Sequence, residues 1–130
     1  METLMQGANT ESMITADARR LQAHRAIEII AGLPDNWNDN GAPSIPADVV
    51  SRGYDILARL QHIPAVTPTA MPGIQLDFRD DNGDYIEFEL RKNGTVEMYF
   101  RDACDSHGME SVITDEEVPS VVQRFYDRTL

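Results

Sequence analysis

Four carboxylates and two phenols recur at alternate positions in three short runs of this chain: Asp77, then Tyr85, Glu87 and Glu89, then Glu97 and Tyr99. Groups of these types support three kinds of chemistry. Converging carboxylates hold a hard cation or exchange protons. Carboxylates interleaved with amphipathic tyrosine rings recognise a basic protein surface. Carboxylates spread along a solvated strand do neither and only charge that face. Which of the three applies depends on the elements that carry them.

Other reactive residues are sparse. Cys104 and His107 lie three apart in DACDSHG. A thiol–imidazole pair needs a pocket and an orienting group, whereas this stretch reads as one polar loop. A structural metal site would need further ligands, and there is no second cysteine. His24 and His62 have no partner at a motif spacing, and no glycine-rich phosphate loop or G-x-S-x-G elbow occurs. DDNGDYIEFE is not a calcium loop, because setting Gly83 at the sixth position puts Phe78 at the first, where an acid belongs. The pairing of Asp77 with Glu87-Phe88-Glu89 matches the acid set of metal-dependent nucleases only in outline, since Glu89 stands where a lysine would be needed. The expectation is therefore no metal, no cofactor and no catalytic residue.

The net charge of −11 argues against direct binding to nucleic acid or an anionic membrane, both of which need a basic patch. It favours a basic partner. Residues 1–70 carry 8 acids against 5 bases, and residues 71–130 carry 14 against 6, so the charge concentrates in the second half. A single cysteine fits a reducing compartment. No apolar run approaches the ~18 residues of a membrane span. The expected location is the cytoplasm, of a bacterial or phage-type protein.

The elements follow from periodicity. Residues 1–14 read as a disordered tail, and 15–130 as a single domain. Residues 15–31 read as a helix capped by Thr15, with Leu21, Ile27, Ile30 and Ala31 as its apolar stripe. A second helix runs from near Pro46 to near His62, with Val49, Val50, Tyr54, Leu57 and Leu60 inward. Residues 64–73 hold three prolines and a glycine, which predicts an extended connector. GIQLDFR, YIEFELR and TVEMYFR alternate strictly and read as strands. SVIT is the candidate for a short fourth strand, and Val118, Val121, Val122 and Phe125 form a terminal helix with two competing start signals, a Thr114–Glu117 capping box and Pro119, which fits best in a first turn. The fold class is α+β: two N-terminal helices, a three- to four-stranded antiparallel meander and a C-terminal helix, with the helices on one sheet face.

Parity sets the register. A two-residue Asn93-Gly94 turn would place Leu90 opposite Glu97 and mix the faces. A three-residue Lys92-Asn93-Gly94 loop pairs Leu90 with Val96 and Phe88 with Met98. Phe78 then pairs with Ile86. The outer face carries Asp77, Glu87 and Tyr99 in one row, Gln75, Glu89 and Glu97 in the next, and Arg79, Tyr85 and Arg101 in a third. Glu89 directly opposite Glu97 is unfavourable, and Arg79, Arg91 and Arg101 are placed to relieve it.

The polar stretch LPDNWNDNGAPSIP contains the only tryptophan. Trp37 is expected to plug the fold, with its N–H on a polar partner and Gly41 and the asparagines shaping the turn. A plug of that kind would cost about 3–5 kcal/mol on truncation to alanine. Trp37-Asn38-Asp39-Asn40-Gly41-Ala42-Pro43 resembles a W-D-G-Y-G-A-x-P signature of small bacterial proteins. That signature precedes a G-I-x-L-x-aromatic strand and an acidic hairpin ending D/N-G-T-V-E, here Gly73–Phe78 and Asn93–Glu97. Asn38, Asp39 and Asn40 depart from it. The resemblance implies this order of elements and ties Trp37 to the acidic strands; it implies no reaction.

These residues point to an acidic interaction module, inhibitor- or antitoxin-like, with Asp77, Glu87, Glu89, Glu97, Tyr85 and Tyr99 facing a basic protein partner. The alternative is a metal- or small-ligand module using the same carboxylates or a pocket beside Trp37. A homodimer through an open edge, GIQLDFR or TVEMYFR, is a third arrangement.

Overall fold

The structure is a computed structural model that describes the backbone of residues 2–104 and 108–128 and the side chains from Ala16 onward within them. Its elements are α1 (Glu2–Ala31), α2 (Ala47–Ala58), β1 (Ala65–Thr69), β2 (Gly73–Arg79), β3 (Tyr85–Arg91), β4 (Val96–Arg101), β5 (Gly108–Ile113) and, after a 3-10 turn at Asp115–Glu117, α3 (Val118–Asp127). The strands form one antiparallel sheet in the order β1-β2-β3-β4-β5.

The sheet has five strands, not three or four. The stretch expected to be a connector supplies β1, because a strand with a neighbour on one side only tolerates proline. The expected loop before SVIT supplies the start of β5. Neither GIQLDFR nor TVEMYFR is an edge, since β1 and β5 flank them. The edges are Ala65–Thr69 and Gly108–Ile113.

The central register is the one parity requires. Leu90 faces Val96, Phe88 faces Met98, and Phe78 faces Ile86. The β3–β4 turn closes with Gly94 N–H on the Arg91 carbonyl and Arg91 N–H on the Thr95 carbonyl, while Gly94 takes φ +83°. That left-handed backbone is what glycine allows at the third loop position.

One sheet face is core. Ile74, Leu76, Phe78, Ile86, Phe88, Leu90 and Val96 are buried there. Ala23, Ile27 and Ile30 of α1, Val49, Ile56 and Leu57 of α2, and Val118, Val122 and Phe125 of α3 complete the apolar cluster. In α1 the stripe falls on Ala23, Ile27 and Ile30, and Leu21 and Ala31 point outward. The helix also runs upstream of Thr15, which is therefore not its cap. At the other terminus Thr114 and Glu117 do make a capping box, around the 3-10 turn, and Pro119 falls in the first turn of α3. The two start signals serve successive turns.

Two arginines join the layers. Arg20 donates to the Leu57 and Leu60 carbonyls (3.3 and 2.8 Å), tying α1 to the C-terminal end of α2 and the turn that follows it. Arg52 of α2 forms a bidentate pair with Asp115 (2.7 and 2.8 Å) and donates to the Arg91 and Thr95 carbonyls at the β3–β4 turn (2.5 and 3.2 Å). It thereby fixes the hairpin to the helix layer.

The tryptophan loop corrects an expectation. Trp37 is half-buried and is not part of the apolar cluster. Its N–H does find an acceptor, the Pro43 carbonyl at 3.0 Å. The loop closes instead through short polar side chains. Asn38 Oδ1 accepts from the Asn40 and Ala42 N–H groups, Asn36 Oδ1 from Gly41, and Asp35 Oδ1 from Ser44. Asn36, Asp39 and Gly41 all have positive φ, as Asx-type turns allow. The residues that bury are Ala42 and Ile45.

Two predictions follow from the packing. Trp37→Ala should cost about 1–2 kcal/mol by urea unfolding, short of a core aromatic, because the ring keeps part of its surface in water and lies outside the apolar cluster. The second concerns Asp84, buried where Ala103 N–H (2.9 Å) and Arg128 (2.6 Å) meet its carboxylate. The Ala103 N–H, then Arg128, hold its pKa below the usual range against the opposing effect of burial. Its stabilisation is thus complete above the unfolded value of about 3.9 and is lost as pH falls through the folded value. Asp84→Asn should unfold earlier in urea at pH 7, and the gap to the parent should close on acidification below about pH 4.

Candidate functional site

The alternation that buries one face turns every second side chain of β2, β3 and β4 outward. The outer rows match those derived from the sequence, and the first two each gain a member from β5. Asp77, Glu87, Tyr99 and Glu110 form one row, and Gln75, Glu89, Glu97 and Val112 the next. Arg79, Tyr85 and Arg101 lie nearer one end. All six expected residues are on this face.

Their contacts divide them. The Tyr85 hydroxyl lies 2.9 Å from both Asp77 Oδ1 and Glu87 Oε2. One proton serves two acceptors, so it is shared between the carboxylates. Gln75 adds a donor to Asp77 at 3.0 Å. Burial first, and then donation to the two carboxylates, pushes the Tyr85 pKa far above the ordinary phenol value. Tyr85 is therefore a permanent donor here, unsuited to act as a base or nucleophile. The guanidinium of Arg79 stands over its ring, 5.4 Å from the centroid.

Glu89 and Glu97, opposite each other as expected, are reconciled by Arg91. Its Nη2 lies 3.0 Å from Glu89 Oε1 and 2.7 Å from Glu97 Oε2. Of the three arginines expected to relieve that pair, Arg91 is the one the structure places between the two carboxylates.

A shallow basin of about 430 Å³ opens between β3, β4 and β5, with Glu87, Glu89, Glu97, Tyr99 and Glu110 on its walls. The ring of Tyr99 reaches across to β5 and fills the space beside Gly108 where any side chain would stand. Glu110 is the residue that sequence reasoning missed. It belongs to an edge strand exposed on both faces, so no alternation betrayed the strand; the usable signal was the β-prone run after the 102–107 loop.

The other candidates remain separate. Cys104 is exposed, and His107 lies outside the described residues. His24 stacks on Tyr54 (5.7 Å between centroids) and His62 on Tyr126 (3.7 Å), which gives both imidazoles a packing role. Among the described residues no three His, Cys, Asp or Glu side chains are grouped to hold a metal ion, and no helix is long and apolar enough to cross a membrane. Comparison of the chain with protein-family models, curated proteins and solved structures finds no match.

The site's electrostatics are testable in the free protein. Arg91→Ala leaves Glu89 and Glu97 opposed without their common cation. It should destabilise the fold by about 1 kcal/mol at low ionic strength. The loss should shrink by half or more in ~1 M NaCl, where the Debye length falls to about 3 Å.

Proposed function

We propose that this chain is a small acidic interaction module, inhibitor- or antitoxin-like, that offers the outer sheet face to a basic protein partner. The observation that carries this reading is the basin walled by Glu87, Glu89, Glu97 and Glu110, in which Arg91 is the one base ion-paired to these carboxylates among the described residues. A surface of this kind competes with phosphate for the basic site of a nucleic-acid-binding protein. It also speeds encounter through charge complementarity. Tyr85 and Tyr99 add amphipathic contact area at low entropic cost, as aromatic residues do in interfaces. The single exposed thiol of Cys104 suits a reducing cytoplasm. The metal-binding alternative has no donor set among the described residues. Calorimetric titration with Ca²⁺, Mg²⁺ or Mn²⁺ is expected to give no saturable heat.

The test compares two double variants of equal charge change. Glu87→Lys/Glu89→Lys alters the basin, while Glu28→Lys/Asp55→Lys alters exposed helix positions. Both should keep the parent circular dichroism spectrum. Titrated with a Lys/Arg-rich peptide, the basin variant should lose at least about tenfold in affinity and the helix variant far less. Equal losses would mean that net charge alone drives binding, and the reading would fail.

A further inference from the structure

We infer that β5 is a docking edge, onto which the basic partner adds an extended segment as a sixth strand. This rests on the reading of the acidic face and specifies how a partner engages it.

The two edges of the sheet are unlike. β1 carries Pro68 within the strand, which removes a backbone donor and blunts that edge. β5 runs six residues without proline or lysine, and Met109 and Val112 are 66% and 65% exposed. Antiparallel pairing with β4 uses one side of β5 and leaves alternate N–H and C=O groups on the other. An open ladder of this kind is the recognition surface used in strand addition, where the main chain supplies affinity and alternate side chains supply specificity.

Charge complementarity selects the occupant. On the outer face β5 presents Glu110, which has no basic partner among the described residues, directly before the basin of Glu97 and Glu87. A strand added at this edge places every second side chain on that face, about 4.8 Å beyond Glu110. Lysine or arginine at those positions meets Glu110 directly. A second copy of this chain does not fit. Pairing β5 with itself would join two acidic faces into one continuous sheet, on a dimer in which each chain carries −11.

The experiment uses a ten-residue peptide of alternating lysine and threonine, and the same peptide N-methylated at alternate residues. The second retains the charge but cannot extend the ladder. The alternating peptide should bind, and amides of Gly108–Ile113 that face away from β4 should gain about tenfold or more in hydrogen-exchange protection. The N-methylated form should bind at least about tenfold more weakly. Equal binding of the two peptides without β5 protection would overturn the docking edge and leave the acidic face standing. Failure of both to bind would overturn both. A doubled mass in solution with β5 protected before any peptide is added would give the edge to a second copy and overturn the inference.

Discussion

A strand has two faces, and a one-residue slip exchanges them. That parity is the constraint on which this molecule depends. The three-residue loop ending at Gly94 sets Phe88 against Met98 and Glu89 against Glu97. With that register, one face of β2, β3 and β4 is wholly apolar and receives three helices, while the other collects the acids. A shorter turn would drive carboxylates beneath α2, where an unpaired charge is not tolerated. The core and the candidate site are therefore two consequences of one turn length. Arg52 reinforces it, since its guanidinium holds the Arg91 and Thr95 carbonyls on either side of that loop and anchors them to Asp115.

How far the sequence could be read follows from where each element lies. The meander was legible to the residue pair because Ile74 to Phe78, Ile86 to Leu90 and Val96 to Phe100 are half-buried strands, which must alternate. The flanking strands were not, because an edge obeys fewer rules. β1 accepts Pro68, and β5, exposed on both faces, needs no alternation. Glu110 escaped notice for that reason alone. Trp37 misled for another: a lone tryptophan suggests burial, yet here Asn36, Asn38 and Asp35 hold the turn through their carboxylate and amide oxygens, and the indole N–H donates to the Pro43 carbonyl. Asp39 occupies a left-handed conformation, which the short polar side chain of aspartate tolerates.

The outer face combines order with excess charge. Tyr85 shared between Asp77 and Glu87, and Arg91 between Glu89 and Glu97, fix four carboxylates in place. A preorganised acidic surface loses little conformational entropy on meeting a basic one. Tyr99, lying over Gly108, extends the same surface onto β5. Fold and proposed function meet at that strand, where the sheet is open and the acids begin.

The central claim is that the outer sheet face with its acidic basin, and not the charge of the whole chain, receives a basic partner. Mapping amide chemical shifts during titration with a Lys/Arg-rich peptide tests it most directly. Perturbations confined to Asp77, Glu87, Glu89, Glu97, Tyr99 and Glu110 and their strand neighbours are the predicted result. Perturbations spread over α1 and α2, or absent from these strands, would contradict it.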